Sequence, residues 1–513
     1  MSDSIQDGIR ARKRRNERRL DKRNFPVGGG RVLGASTVRF ELSGRAVGTP
    51  YGGIGLVHRL VGEIGLAEEI DARLHVLKIH LPYHDSDHVL SLAYNALCDG
   101  TCLEDLERRR EDEAYLNALG AARIPDPTTA GDFCRRFTRP HIAALHEAID
   151  AARRKVWARQ PAAFFDEARI DADGTLVATG GECKQGIDIA YDGTWGYHPL
   201  IVSLANTGEV LRIVNRSGNR PSHEGAAAEL DACIALCRGA GFRRVLLRGD
   251  TDFTQTAHLD RWHEAGDVQF IFGMDLTAGR HVEADDLPET AWKSLRRPIR
   301  VIATQPRQRP QDVKQQVVDE RQFKDVRLVS EDVAEMPYRP HACRHTYRSI
   351  VLRKNLRVRE RGQKQLFDDY RYFFYLTNDG ESTPEEIVFS ANDRCDQENV
   401  IAQLGGGVHA LRAPVDNLLS NWAYMVMVAL AWNLKAWLAL CLPEPPGRYG
   451  EQRRSEKRQL LRMEFRTFVA AVIRVPCQIV HSGRKIVYRL LAWNRWQTVF
   501  FRLARQLVRP LRC

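Results

Sequence analysis

Ala168-Arg169-Ile170-Asp171-Ala172-Asp173-Gly174-Thr175-Leu176-Val177-Ala178-Thr179 is a β-type run. Asp171 and Asp173 stand two apart on it, so a strand points both carboxylates to one face, beside a glycine that permits close approach. Such a pair either binds a cation or faces solvent. Similar runs come at His198–Ala205, Val210–Val214, Arg244–Arg248 and Val268–Phe272. Asn206-Thr207-Gly208 and Ser217-Gly218-Asn219 supply turns between the early ones. Helical stretches at Glu224–Arg238 and Thr254–Glu264 sit among the later ones. A three-strand meander, then helix, strand, helix, strand predicts a mixed sheet with helices, a ribonuclease-H-like core whose first part is residues 163–275.

The flanks read differently. Residues 1–50 are basic, then glycine-rich at Gly28–Gly30, and are expected to form a flexible arm. Residues 51–160 show helical periodicity, as in Val89, Leu90, Leu92, Ala93 and Leu97, and form a helical domain that is a DNA-binding candidate. Residues 276–380 are Pro- and Arg-rich, with strand-like runs at Val326–Val329, Tyr347–Leu352 and Tyr370–Leu376, and read as an inserted β-domain. Helical pattern resumes at Asn392. Residues 381–443 would complete the core, and 444–513 form a basic helical region. The fold class is therefore α/β, a mixed-sheet core interrupted by a β-rich insertion and flanked by helical regions.

Two further acidic motifs stand out. In Val245-Leu246-Leu247-Arg248-Gly249-Asp250-Thr251-Asp252-Phe253 a buried strand ends in acids and leads into a helix. Ligand sites of α/β sheets gather at the carboxyl ends of strands, so Asp250 is assigned the chemistry and Asp252 a helix cap. In Ser390-Ala391-Asn392-Asp393-Arg394-Cys395-Asp396-Gln397-Glu398-Asn399, Asn392 is a candidate N-cap. Arg394 and Glu398 are i,i+4 neighbours, a surface salt bridge or part of a site, and position 405 falls on the same face.

The net charge of +11 favours a polyanionic partner. It is concentrated at the ends. From Arg448 to Cys513 sixteen Lys and Arg oppose Glu451, Glu456 and Glu464, a surplus of +13 that leaves the remainder at −2. Arg10–Arg23 is a second basic block, a phosphate track or a solvated tail. Arg12, Lys13, Arg14, Arg15, Arg484 and Lys485 are taken from these ends as DNA-contact candidates. Eleven cysteines without a Cys-x-x-Cys pair fit reduced thiols rather than a zinc cage. His84 and His88 lack partners for a metal site, and Trp422, Trp432 and Trp437 fit core packing. The first 25 residues carry no signal peptide. Leu418–Leu442 is long enough to span a bilayer, but Asn421, Asn433 and Lys435 interrupt it, which predicts a buried amphipathic helix in a soluble protein.

Asp173-x-Thr175, Gly249-Asp250-Thr251-Asp252-Phe253 and Arg394-x-x-x-Glu398 resemble DDE-type insertion-sequence transposases. The branch is the one with a Tyr-x-x-Arg-x-x-x-Glu-x-x-x-x-x-x-Lys pattern after a β-insertion. The likeness extends through Ser217-Gly218-Asn219 with His223, Tyr370–Asn378, Ala413-Pro414-Val415-Asp416 and Ser420-Asn421-Trp422-Ala423-Tyr424, roughly residues 85–510. Ala391 stands in place of the Tyr and Gly405 in place of the Lys, which in that family is associated with gripping the transposon end. Gly405-Gly406-Gly407 is expected to end the helix near Leu404.

The resemblance implies that Asp173, Asp250 and Glu398 hold Mg²⁺, with Mn²⁺ able to substitute, and cut and rejoin DNA, Arg394 contacting phosphate. It implies double-stranded DNA as partner, both terminal inverted repeats and target. A homodimer in the synaptic complex and a cytoplasmic, nucleoid-associated prokaryotic location complete it. Two alternatives share the core: a decayed or domesticated DNA-binding protein, which Gly405 favours, and a structure-specific nuclease, which needs neither the insertion nor the C-terminal region.

Overall fold

A computed structural model describes residues 3–21, 23, 40, 48–79, 82–297, 312–360, 363–364, 369–444, 447–482 and 485–507. Its centre is a sheet whose first five strands are β1 (Ala168–Gly174), β2 (Leu200–Leu204), β3 (Glu209–Val214), β4 (Val245–Gly249) and β5 (Val268–Met274). They lie side by side as β3-β2-β1-β4-β5. The meander is antiparallel, whereas β1, β4 and β5 are parallel. Parallel neighbours need crossovers, supplied by helices Ala226–Ala240 and Thr256–Glu264. Leu230, Cys233, Ile234 and Cys237 of the first, and Leu259 and Trp262 of the second, are buried. All five residues of β4 are buried, as expected for a strand covered on both faces. This is the ribonuclease-H-like order.

The insertion interrupts the chain after β5, but its strands do not stand apart. Beyond β5 come β6 (Lys293–Ser294), β7 (Asp325–Tyr338), β8 (Tyr347–Glu360) and β9 (Asp369–Thr377). β9 pairs antiparallel with β5, Phe374 opposite Met274 and Leu376 opposite Phe272, and β8, β7 and β6 continue outward. With residues 363–364 on β8 the sheet has ten strands. The β-rich insertion thus extends the core sheet: β5 would otherwise present an unpaired edge, and β9 covers it. Helices Ala278–Asp285 and Val313–Glu320 also belong to this stretch.

Three expectations are corrected. The 1–50 arm contains an 18-residue helix, Asp3–Leu20, because its Arg, Lys, Glu and Leu residues are good helix formers. The C-terminal region is not wholly helical: Cys477–Ser482 and Lys485–Leu490 form a hairpin that also pairs with Gly48–Thr49. The helix expected from Asn392 begins earlier, as Pro384–Asp393. Thr383 and Glu386 form a reciprocal capping box there, and Pro384 occupies the first turn, where its missing N–H costs nothing.

Leu418–Leu440 runs through the middle of the molecule, and every residue from Ser420 to Leu440 is buried. It is therefore buried on all sides rather than presenting one face to solvent. The Asp85–Leu97, Arg139–Trp157 and Gly450–Arg462 helices and β3 pack around it. The Ser420 hydroxyl is buried without a hydrogen-bond partner, but its two asparagines and its lysine are engaged. Asn433 accepts from Val210 N at 2.8 Å and donates to Val210 O at 2.9 Å, closing the free edge of β3. Asn421 accepts from Val415 N at 3.1 Å, and Lys435 Nζ donates to Leu461 O at 2.8 Å.

Candidate active site

The parallel register places Asp171 of β1 opposite Arg248 of β4, so Asp173 and Asp250 emerge together at neighbouring strand ends. Asp171 and Asp173 share a face but have different fates. Asp171 is 1% exposed and so does not meet solvent. Arg248 clamps it with two hydrogen bonds, Nε to Oδ1 at 2.7 Å and Nη2 to Oδ2 at 2.8 Å. The remaining Arg248 amino group, Nη1, donates to Ser390 O at 2.7 Å, which ties the Pro384–Asp393 helix to the strand ends. Sequence reading missed this pair, whose signal was an arginine in an otherwise apolar strand.

Asp173 lies at the mouth, its side chain 16% exposed. Gly174 N donates to Oδ1 at 2.8 Å and Arg394 Nη1 to Oδ2 at 3.0 Å. Burial pushes the Asp173 carboxyl up to about 6; Arg394 opposes the shift and the charge of Asp250 adds to it. Burial also raises Asp250, again opposed by Arg394. Two acids thus repel each other across a partly dry space with one guanidinium beside both. A Cβ on Gly174 would lie 2.7 Å from His198 Nε2, so only glycine allows this approach beside Asp173.

Asp250 itself caps the turn directly after β4, accepting from Asp252 N at 3.0 Å. This corrects the assignment of the cap to Asp252, which is exposed. The first turn after the strand begins one residue beyond Asp250, so that residue is the one whose oxygen reaches a free N–H.

Arg394 joins helix Pro384–Asp393 to helix Cys395–Ala402, and Asn392 is near the end of the former rather than a cap. Gln397 docks the second helix: it accepts from Ser203 Oγ and donates to Ile201 O at 3.0 Å, both on β2. Glu398 comes next and is exposed, one turn beyond Arg394. Asp173, Asp250 and Arg394 are therefore brought together, with Glu398 on the adjoining turn. Among the described residues no three His, Cys, Asp or Glu side chains form a metal-binding group.

The remaining candidates lie elsewhere. Arg12 donates to Leu490 O at 2.6 Å, and Lys13 stands 3.6 Å from Glu17. Arg14, Arg15 and Lys485 are exposed, and Arg484 lies outside the described residues. His88 stacks on Phe133 with ring centres 4.3 Å apart, a packing role.

Fold and site together define a ribonuclease-H-like protein with paired carboxylates at the ends of adjacent parallel strands. The chain belongs to the transposase DDE domain group 1 family, whose model matches residues 31–512. Among curated proteins, none matches the chain. A solved structure of the piggyBac transposase synaptic complex with hairpin DNA is similar at 10% identity and a TM-score of 0.35, over 83% of this chain and 84% of that one.

Proposed function

We propose that this transposase binds the ends of an insertion sequence, cuts them in a divalent-metal-dependent reaction and joins the freed 3′-hydroxyl to target DNA. The observation that carries this reading is the convergence of Asp173, Asp250 and Arg394 at the strand ends. Two carboxylates with raised pKa values offer hard oxygen donors whose repulsion a cation would relieve, which fits Mg²⁺, an ion commonly held by one or two carboxylates plus substrate phosphate. When bound, the metal supplies Lewis-acid activation of the attacking oxygen and charge relief on the leaving one.

The protein's own part is positional. Asp173 and Asp250 would hold the metal, with Glu398 completing the set from its helix once DNA is present. Arg394, part-buried at 18% side-chain exposure, has donors beyond the one given to Asp173 and would orient a phosphate oxygen for in-line attack. Water attacks first; the released 3′-hydroxyl attacks the second time. The exposed position of Glu398, with Gly405 in place of the pattern's Lys, favours a second reading, a protein that binds DNA without cutting it.

One experiment separates them. Purified protein is incubated with Mg²⁺ and DNA carrying the sequences that flank its gene, beside Asp173→Ala, Asp250→Ala and Glu398→Ala. Cleavage by the parent, lost about a thousandfold in each variant, is the expected outcome. Cleavage that survives any one change removes that residue from the site, and DNA binding without cleavage by the parent supports the second reading.

A further inference from the structure

The helix bearing Glu398 does not stop at its glycines. It ends as an α-helix at Ala402 and continues as a π-turn, Gln403–Gly407, past the expected end near Leu404. Single π-turns recur at functional sites because the extra residue re-aims the chain beyond it. A Cβ on Gly405 or Gly406 would meet nothing within 4 Å, so this surface is bare backbone open to a large neighbour. Immediately beyond it His409 adopts a φ of 61°, an unusual conformation for a residue with a side chain, although it is 8% exposed.

Two arginines from different elements converge here. Arg466, exposed on the Phe465–Phe468 turn, donates from Nη2 to Gly406 O at 2.8 Å. Arg412 Nη2 lies 3.0 Å from His409 Nδ1. A guanidinium only donates, so Nδ1 is the acceptor and the imidazole proton sits on Nε2. Both arginines, after burial, lower the His409 pKa, so both fields reach the same ring. Among the described residues neither arginine has a carboxylate at ion-pair distance. The acid that acts on His409, Asp105, is taken by Thr101 N at 2.7 Å and Arg108 at 3.2 Å. Two cations left without anions beside bare backbone are a phosphate-binding arrangement.

We propose that Arg466, bonded to Gly406, and Arg412, bonded to His409 just beyond the turn, form a phosphate clamp for the DNA backbone leading away from the active site. This rests on the transposase reading. The clamp lies about 10 Å beyond Glu398 along the helix, a few base steps of a duplex, so one molecule of DNA reaches both. The bare glycines let the strand come down on the turn, and charge arrives from outside the helix rather than from a side chain at 405.

The test is binding without cleavage. The probe is a random-sequence duplex of roughly three helical turns in EDTA, its affinity monitored by fluorescence anisotropy from low to moderate salt. Arg412→Gln and Arg466→Gln are expected to lose on the order of tenfold each, and each to reduce the slope of log K against log salt by about 0.9, one phosphate contact. Arg466→Lys restores both, because it keeps the charge. Urea midpoints confirm that the variants fold. Parent-like affinity and slope in both Gln variants overturn the clamp while leaving the transposase reading intact, as does a loss that Lys fails to rescue, which would make Arg466 a brace for the π-turn. A parent that binds no duplex overturns the clamp and the reading beneath it together.

Discussion

Asp171 and Asp173 show how little separates a structural acid from a reactive one. Both point from one face of β1, yet Arg248 occupies Asp171 fully, while Asp173 meets a single Arg394 donor at the mouth of the site. Removing Arg248 would leave Asp171 charged and unpaired inside the protein. Arg248→Ala is therefore expected to cost about 3–5 kcal/mol in urea unfolding. Asp173 behaves in the opposite way. Its carboxyl ionises at about 6 when folded and near 3.9 when unfolded, so the folded state holds the proton more tightly. The resulting stabilisation is complete below about pH 4 and is lost as the pH rises through 6. In the metal-free protein at pH 8, Asp173→Asn should therefore raise stability, by on the order of 1–3 kcal/mol, while abolishing cleavage. A lower urea midpoint for the variant would contradict this.

At the scale of elements, the Glu398 helix is placed by its neighbours on either side. The Thr383 capping box starts the preceding helix, Gln397 docks on β2, and the π-turn carries the chain on to Arg412. The capping signal Thr383-Pro384-Glu385-Glu386 is local, yet the sequence reading passed over it and began the helix at Asn392. The π-turn was not legible in the sequence, because three successive glycines argue for an end, whereas distant partners brace the turn: Phe465 N donates to Gln403 Oε1 at 2.8 Å and Arg466 to Gly406 O at 2.8 Å. Lysine at 405 would meet open space, and helix propensity favours it over glycine by up to about 1 kcal/mol. Gly405→Lys should thus leave the melting temperature unchanged or raised and tighten duplex binding severalfold in the same anisotropy assay.

Across the whole molecule, the sheet, the N-terminal helices and the central helix meet at one carboxylate. Glu209 of β3 is fully buried and accepts from Arg153 Nε at 3.1 Å, Trp157 Nε1 at 2.9 Å, Trp437 Nε1 at 2.7 Å and Thr207 Oγ1 at 2.7 Å. Glu209→Gln turns one acceptor into a donor among donors. Thermal unfolding should show a loss of about 3–5 kcal/mol shared by all three regions in one transition. Lys435 tests the same core through pH. Burial holds it down to about 7, against about 10.4 in the unfolded chain, which takes up the proton in between. Stability should therefore rise from pH 7 towards 10, and Lys435→Met should remove that rise. Urea midpoints at the two ends of this range give the answer.

Strand order, crossover helices and the acids at strand ends were readable from residues alone, because period and turn chemistry are local properties of β1 to β5. So was the burial of the 418–440 segment. Which acid is sequestered, which one caps, and where the insertion goes depended on long-range pairing. Arg248 reaches Asp171 only through the β1–β4 register, β9 finds β5 only after about a hundred intervening residues, and Arg466 meets Gly406 across sixty. Contacts of that reach leave no periodic trace in the chain, since either partner alone reads as an ordinary charged or edge residue, and only the packed structure selects between its possible roles.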